Sequence, residues 1–147
     1  MISFDQGVVI SFCVYGTPRP QGSMRAFWRP GMQRPAITSD NKKLKPWRQE
    51  LAATAMEHAQ GRSLPLFGDS VPVEVTLRFY FSRPKSASTK SRPGMTVKPD
   101  ADKLLRAVLD SIKGILVHDD AQVIEIHVRK MYGGPERCEI EMREAIV

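Results

Sequence analysis

Apolar and polar residues alternate with a period of two over four stretches of the chain and recur with a helical period over two more. In "VVISFCVYG", Val8, Ile10, Phe12 and Val14 oppose Val9, Ser11, Cys13 and Tyr15. Both sets are largely apolar, so this strand is expected to be central or well covered. "VPVEVTLRFYF" is the most regular stretch, with Val71, Val73, Val75, Leu77, Phe79 and Phe81 against Pro72, Glu74, Thr76, Arg78 and Tyr80. It predicts a half-buried strand. "AQVIEIHVRKMY" sets Ile124, Ile126 and Val128 against Glu125, His127 and Arg129, and "RCEIEMR" sets Cys138, Ile140 and Met142 against Glu139, Glu141 and Arg143. The "GGPE" between them predicts a C-terminal hairpin.

The helical stretches carry their own start and stop signals. In "PWRQELAATAMEHAQG", Pro46 suits a first helical position, Gly61 suits an end, and Trp47, Leu51, Thr54, Ala55 and His58 share a face. In "DADKLLRAVLDSIKG", Leu104, Leu105, Val108, Leu109 and Ile112 fall in one arc, and Asp102, Lys103, Arg106, Asp110 and Lys113 in the opposite one. "TPRPQGSMRAFWRPGMQRPAIT" predicts a hairpin turning at Arg29-Pro30-Gly31. Residues 82–99 hold five bases, no acid and three prolines, and are expected to form a mobile basic loop. The order β, ββ, α, β, α, ββ over 147 residues predicts one α/β (α+β) domain, a mixed sheet with two main helices packed on it.

Charge adds a direction to this outline. Residues 1–99 carry 15 Lys and Arg against 6 Asp and Glu, and residues 100–147 carry 7 against 10, giving +9 and −3. A basic body leading to an acidic locus suits a metal-dependent enzyme acting on a polyanion, although basic surfaces are common in proteins. From Gly16 to Arg48 there are eight bases and one acid, interleaved with Phe27, Trp28 and Trp47, a composition suited to tracking phosphates and stacking bases. Arg25, Arg29, Lys42 and Lys43 are candidate DNA contacts there, joined by Lys85, Lys90, Arg92 and Lys98 from the basic loop. Cys13 and Cys138 have no CxxC or His spacing, and no apolar run reaches the ~18–20 residues of a membrane span. A soluble, cytoplasmic protein is expected.

Asp100 and Asp102 open the second helix, and Asp119 and Asp120 stand directly before a strand. A cap at Asp100 and a dipole-complementing acid at Asp102 explain the first pair without a metal. The second pair changes the reading. A helix from Ala101 to Lys113 rises about 20 Å, and six extended residues cover about 20 Å in return. A chain running straight back would therefore bring four carboxylates together, an arrangement that calls for a hard cation, Mg²⁺ or Mn²⁺. Arg106, one turn after Asp102, pairs with it or reaches a phosphate; Asp110, two turns on, reads as surface. His118 reads as an exposed loop residue, with an assisting or proton-carrying role beside the metal as the alternative. With no Ser/His/Asp or Cys/His arrangement and no glycine-rich phosphate loop, the chemistry on offer is metal-assisted phosphodiester hydrolysis.

"KPDADKLLRAVLDSIKGILVHDDAQV" resembles the RusA family of Holliday junction resolvases of bacteria and their phages, whose pattern is Asp-x-Asp-Asn opening a helix, a basic residue one turn on, and Asp-Asp-x-Gln before a strand. The resemblance implies a homodimeric, Mg²⁺-dependent endonuclease that nicks four-way DNA junctions symmetrically in recombination and repair. By position, Asp100, Asp102 and Asp120 are implied as essential acids, Asp119 as an auxiliary one, and Arg106 in the place of a catalytic lysine. Lys103 departs from the family's Asn. Arg106 departs from its Lys, and a guanidinium clamps a phosphate but does not donate its proton. A non-catalytic branched-DNA-binding module is the alternative; a DxD-type sugar-nucleotide transferase is disfavoured by chain length.

Overall fold

A computed structural model describes residues 7–22, 24–39 and 42–147, with the backbone alone at 24–27 and 36–39. Its elements are β1 (Val9–Tyr15), β2 (Met24–Phe27), β3 (Ala36–Ser39), α1 (Leu44–His58), β4 (Val73–Phe81), α2 (Ala101–Ile112), β5 (Val123–Tyr132) and β6 (Arg137–Glu144). β2 and β3 form a separate antiparallel pair, as the Pro- and Gly-rich stretch predicts. The others build one mixed sheet in the order β1-β6-β4-β5. The strict alternation of β4 places Val73, Val75, Leu77, Phe79 and Phe81 in the core, at 0–6% exposure. The two helices cover that face: Leu51 and Ala55 of α1, and Leu104, Val108 and Ile112 of α2, are fully buried against it. Each such leucine, valine or isoleucine contributes roughly 1.5–3 kcal/mol by leaving water. Truncating Leu77 to Ala, which also opens a cavity, would cost about 2–5 kcal/mol. No helix among the described residues is long and apolar enough to cross a membrane.

Four expectations are corrected. β5 and β6 do not form a hairpin, because β4 lies between them, parallel to β5 and antiparallel to β6. Residues 133–136 cross the end of β4, where Gly133 N donates to Phe81 O at 2.9 Å. Two strand spacings are about 10 Å, which four residues span with ease. β1 is an edge strand with one buried face rather than a covered one; Val9 and Tyr15 are exposed. In α2 the buried arc is rotated so that Ala107 and Ser111 are covered, with Leu105 and Leu109 only half-buried. The segment 82–99, expected to bury too little apolar surface to order itself, has Ala87 and Met95 buried and Arg83 donating to the carbonyls of Ser88, Arg92 and Pro93.

Candidate active site

Asp100 holds the N-cap position of α2 with extended backbone (φ −72°, ψ 142°), and its carbonyl accepts from Leu104 N at 3.1 Å. Its carboxylate makes no capping hydrogen bond. Oδ2 instead lies 3.8 Å from Lys103 Nζ in a half-exposed ion pair, worth at most about 1 kcal/mol. Asp102 follows in the exposed first turn and Arg106 one turn later, also exposed. The first helical turn thus offers two carboxylates that folding does not consume.

Asp119 and Asp120 are fixed differently. The Asp119 carboxylate accepts from Ala121 N at 2.9 Å and lies 3.9 Å from Lys113 Nζ. That backbone bond, and then Lys113, hold it below the usual carboxylate range. Burial pushes the Asp120 carboxyl upward, and Asp110 adds repulsion. Its Oδ1 is buried with no hydrogen-bond partner. Gln122 pins the whole turn: Oε1 accepts from His118 N (2.8 Å) and Asp119 N (3.0 Å), and Nε2 donates to Gly68 O (2.7 Å) and Val71 O (3.1 Å).

The two acidic pairs do not converge within one chain, correcting the expected straight return. Gly114, at φ +85°, turns the chain, its N donates to Val117 O at 2.7 Å, and Leu116 N donates to Ile112 O at 2.9 Å. Residues 113–117 therefore coil at the foot of α2. Leu66 N and Phe67 N then stitch them to the stretch before β4. Asp119 and Asp120 stay beside Lys113 and Asp110, while Asp100 stands at the other end of a 12-residue helix about 18 Å long. Asp110, read from the sequence as surface, faces Asp120; its place two turns after Asp102 on the polar face was the available signal.

The donor set still fits a hard cation. Asp102 and the second oxygen of Asp100 remain free for a ligand, and the buried, orphaned Asp120 Oδ1 would be stabilised in its charged form by a cation. Glu74, Glu125 and His127 form another group of possible ligands, with His127 Nε2 3.7 and 3.6 Å from the two carboxylates. They stand on the sheet face opposite the helices.

Of the basic candidates, Lys85, Lys90 and Lys98 are exposed on the 82–99 segment, and Arg29, Lys42 and Lys43 are exposed around the β2–β3 pair and the start of α1. Arg92 is half-buried and donates to Tyr132 Oη at 3.3 Å. The side chain of Arg25, on β2, lies outside the described residues. Trp47 is buried at 6% exposure and offers no stacking surface, whereas Trp28 is 59% exposed. Lys98 joins Arg19 and Lys103, neither of them among the expected DNA contacts, around a cleft of about 670 Å³ that reaches Asp100.

Residues 17–143 match the family model described as endodeoxyribonuclease RusA. The chain is also similar to an uncharacterized protein, YqaN, of Bacillus subtilis (strain 168), 32% identical over 144 residues that cover 92% of this chain and 96% of that protein. The family match spans both helices and strands β2 to β6 but for the last residue of β6, leaving out the edge strand β1, and the chain belongs to the RusA endodeoxyribonuclease family.

Proposed function

We propose that the protein is a Mg²⁺-dependent, structure-selective endonuclease that resolves four-way DNA junctions by paired symmetric nicks. The observation that carries this reading is a set of carboxylates left uncommitted by the fold, at Asp100, Asp102 and Asp120, in a member of a nuclease family. Asp100, Asp102 and Asp120, with Asp119 beside them, hold the cation, for which Mn²⁺ is a possible substitute. Bound there, it supplies an activated water and charge stabilisation at the leaving oxygen. Arg106, always protonated, binds a phosphate oxygen pair from the turn after Asp102. Lys85, Lys90 and Lys98 carry the DNA backbone toward it, and Arg29, Lys42 and Lys43 extend the basic surface.

A homodimer unites acids that one chain keeps apart. β5 is an edge strand of ten residues, and its Ile124 and Ile126 are 56% and 41% exposed. Pairing two copies about a two-fold axis along this edge runs the strands antiparallel and covers the isoleucines. The start of one β5, with Asp119 and Asp120, then meets the end of the other. There Lys130 Nζ binds Pro99 O at 2.9 Å, next to Asp100. Two such composite sites under one two-fold axis match the symmetry of a four-way junction.

The test is cleavage of a synthetic four-way junction with and without Mg²⁺ by wild type, Asp100→Asn and Asp120→Asn. Wild type is expected to cut only with the metal, and each variant to bind without cutting. Binding without cutting by wild type would instead favour a non-catalytic junction-binding module, and variants that cut like wild type would remove these acids from the site.

A further inference from the structure

The cleft beside Asp100 has a composition that phosphate binding alone does not explain. Its volume, about 670 Å³, lies in the range of small-molecule sites. Phe81, Met95, Val97 and Tyr132 line it together with several prolines, while Arg19, Lys98 and Lys103 supply positive charge. The Tyr132 ring is backed by Arg83, whose guanidinium carbon lies 4.4 Å from its centroid, and its hydroxyl is held by Arg92. An aromatic ring fixed in place and polarised by a cation is a stacking platform. The two acids in the lining are Asp100, already assigned to the metal, and Glu136. Glu136 accepts from Thr17 Oγ1 at 2.7 Å and from Ser82 N at 3.0 Å, so it clamps the walls together. Lys130 holds the carbonyls of Val97 and Pro99, and Gln21 N donates to Lys103 O at 2.9 Å, so the opening is preformed.

We propose that this cleft takes one unstacked nucleobase of the DNA strand whose phosphate is presented to Asp100 and Asp102. The proposal rests on the endonuclease reading and adds to it a base-reading subsite. A duplex, about 20 Å across, does not enter a space of this size, but a single extruded base does. Extrusion costs least where pairing is already interrupted, as at a branch point. The apolar walls and Tyr132 take the flat face of the base, and Arg19, Lys98 and Lys103 take the phosphates on either side. The protein thereby gains selectivity for branched over continuous duplex, and a preference for the base that fits.

The test uses synthetic four-way junctions carrying 5-iododeoxyuridine at each nucleotide flanking the cut, bound in Ca²⁺ to suppress cleavage and then irradiated. Cross-linked peptides are mapped by mass spectrometry, binding is followed by mobility shift, and cleavage is measured separately in Mg²⁺. The expected result is a cross-link from one nucleotide position to Tyr132 or to the 95–99 segment. Val97→Trp, which fills the cleft from a partly exposed position without removing a core side chain, should reduce it at least tenfold. A junction that is bound and cut but cross-links elsewhere, or equally well in Val97→Trp, overturns the subsite and leaves the endonuclease reading standing. A junction that is neither bound nor cut overturns both.

Discussion

Replacing Gln122 with Leu removes four hydrogen bonds at once and keeps the side-chain volume, so the effect isolates the polar network from cavity formation. Gln122 is 9% exposed and ties the Asp119–Asp120 turn to Gly68 and Val71 ahead of β4. A typical internal hydrogen bond is worth about 0.5–1.5 kcal/mol net, and a buried partner left unpaired costs about 1–3 kcal/mol. All four bonds are part-buried, but His118, Asp119 and Gly68 are exposed residues whose freed groups can turn to water, whereas Val71 is half-buried. A total of about 2–4 kcal/mol follows. For a chain of this size that lowers Tm by on the order of 5–15 °C. The assay is urea and thermal unfolding of Gln122→Leu against wild type, followed by junction cleavage at a temperature where both are folded. Cleavage should fall further than binding, because the substitution releases Asp120 from its fixed place. A loss below about 0.5 kcal/mol, with cleavage intact, would show that the glutamine does not position the acids.

Three further outcomes are expected. Asp120 has its carboxyl raised by burial and by Asp110, so its charged form is disfavoured by folding. That cost is fully present above the folded pKa and is relieved as pH falls toward the unfolded value, so Asp120→Asn should raise Tm at neutral pH without metal, and the gain should shrink in acid; an unchanged or lower Tm at neutral pH refutes it. Replacing Lys85, Lys90 and Lys98 with Ala should weaken junction binding and reduce the log-log salt slope by up to about 3, measured by anisotropy across salt concentrations; an unchanged slope would take these lysines off the DNA. Mixing Asp100→Asn with Asp120→Asn subunits should restore nicking of one strand, because a heterodimer with composite sites keeps one intact set of acids, whereas sites built within single chains would both stay dead.

The sequence was most legible where side-chain period and burial coincide. The alternation of β4 gave its core side residue by residue, and the arc of α2 gave Leu104, Val108 and Ile112 but not Ala107 and Ser111, because each element meets the core along one face. Pairing was not legible. "GGPE" between two alternating strands reads as a hairpin, yet the deciding contact is Gly133 with Phe81, more than fifty residues earlier. The same long-range choice leaves β5 at an edge, which is why Ile124 and Ile126 alternate like core residues and are nevertheless exposed. Trp47 shows the converse: its basic neighbours suggested a nucleic-acid surface, but the helical period that placed it with Leu51 and Ala55 was the stronger constraint.

The acids follow the same logic. Their identity and local settings were readable: Asp100 at a helix start, Asp102 and Arg106 on one face, Asp119 and Asp120 before a strand. Their distance was not, because the estimate needed a straight return and the chain instead coils at Gly114. A parallel β4–α2–β5 unit forces this outcome, since β5 can run beside β4 only if it begins at the end where β4 begins, and α2 must carry the chain back there. The N-terminus of α2 and the start of β5 are then at opposite ends of the sheet in any sequence with this topology. In the proposed homodimer a cation site that needs both draws them from two chains, paired along the β5 edge with its exposed isoleucines. On this reading the exposed isoleucines and the separated acids have one physical cause, and the subunit-mixing experiment tests them together.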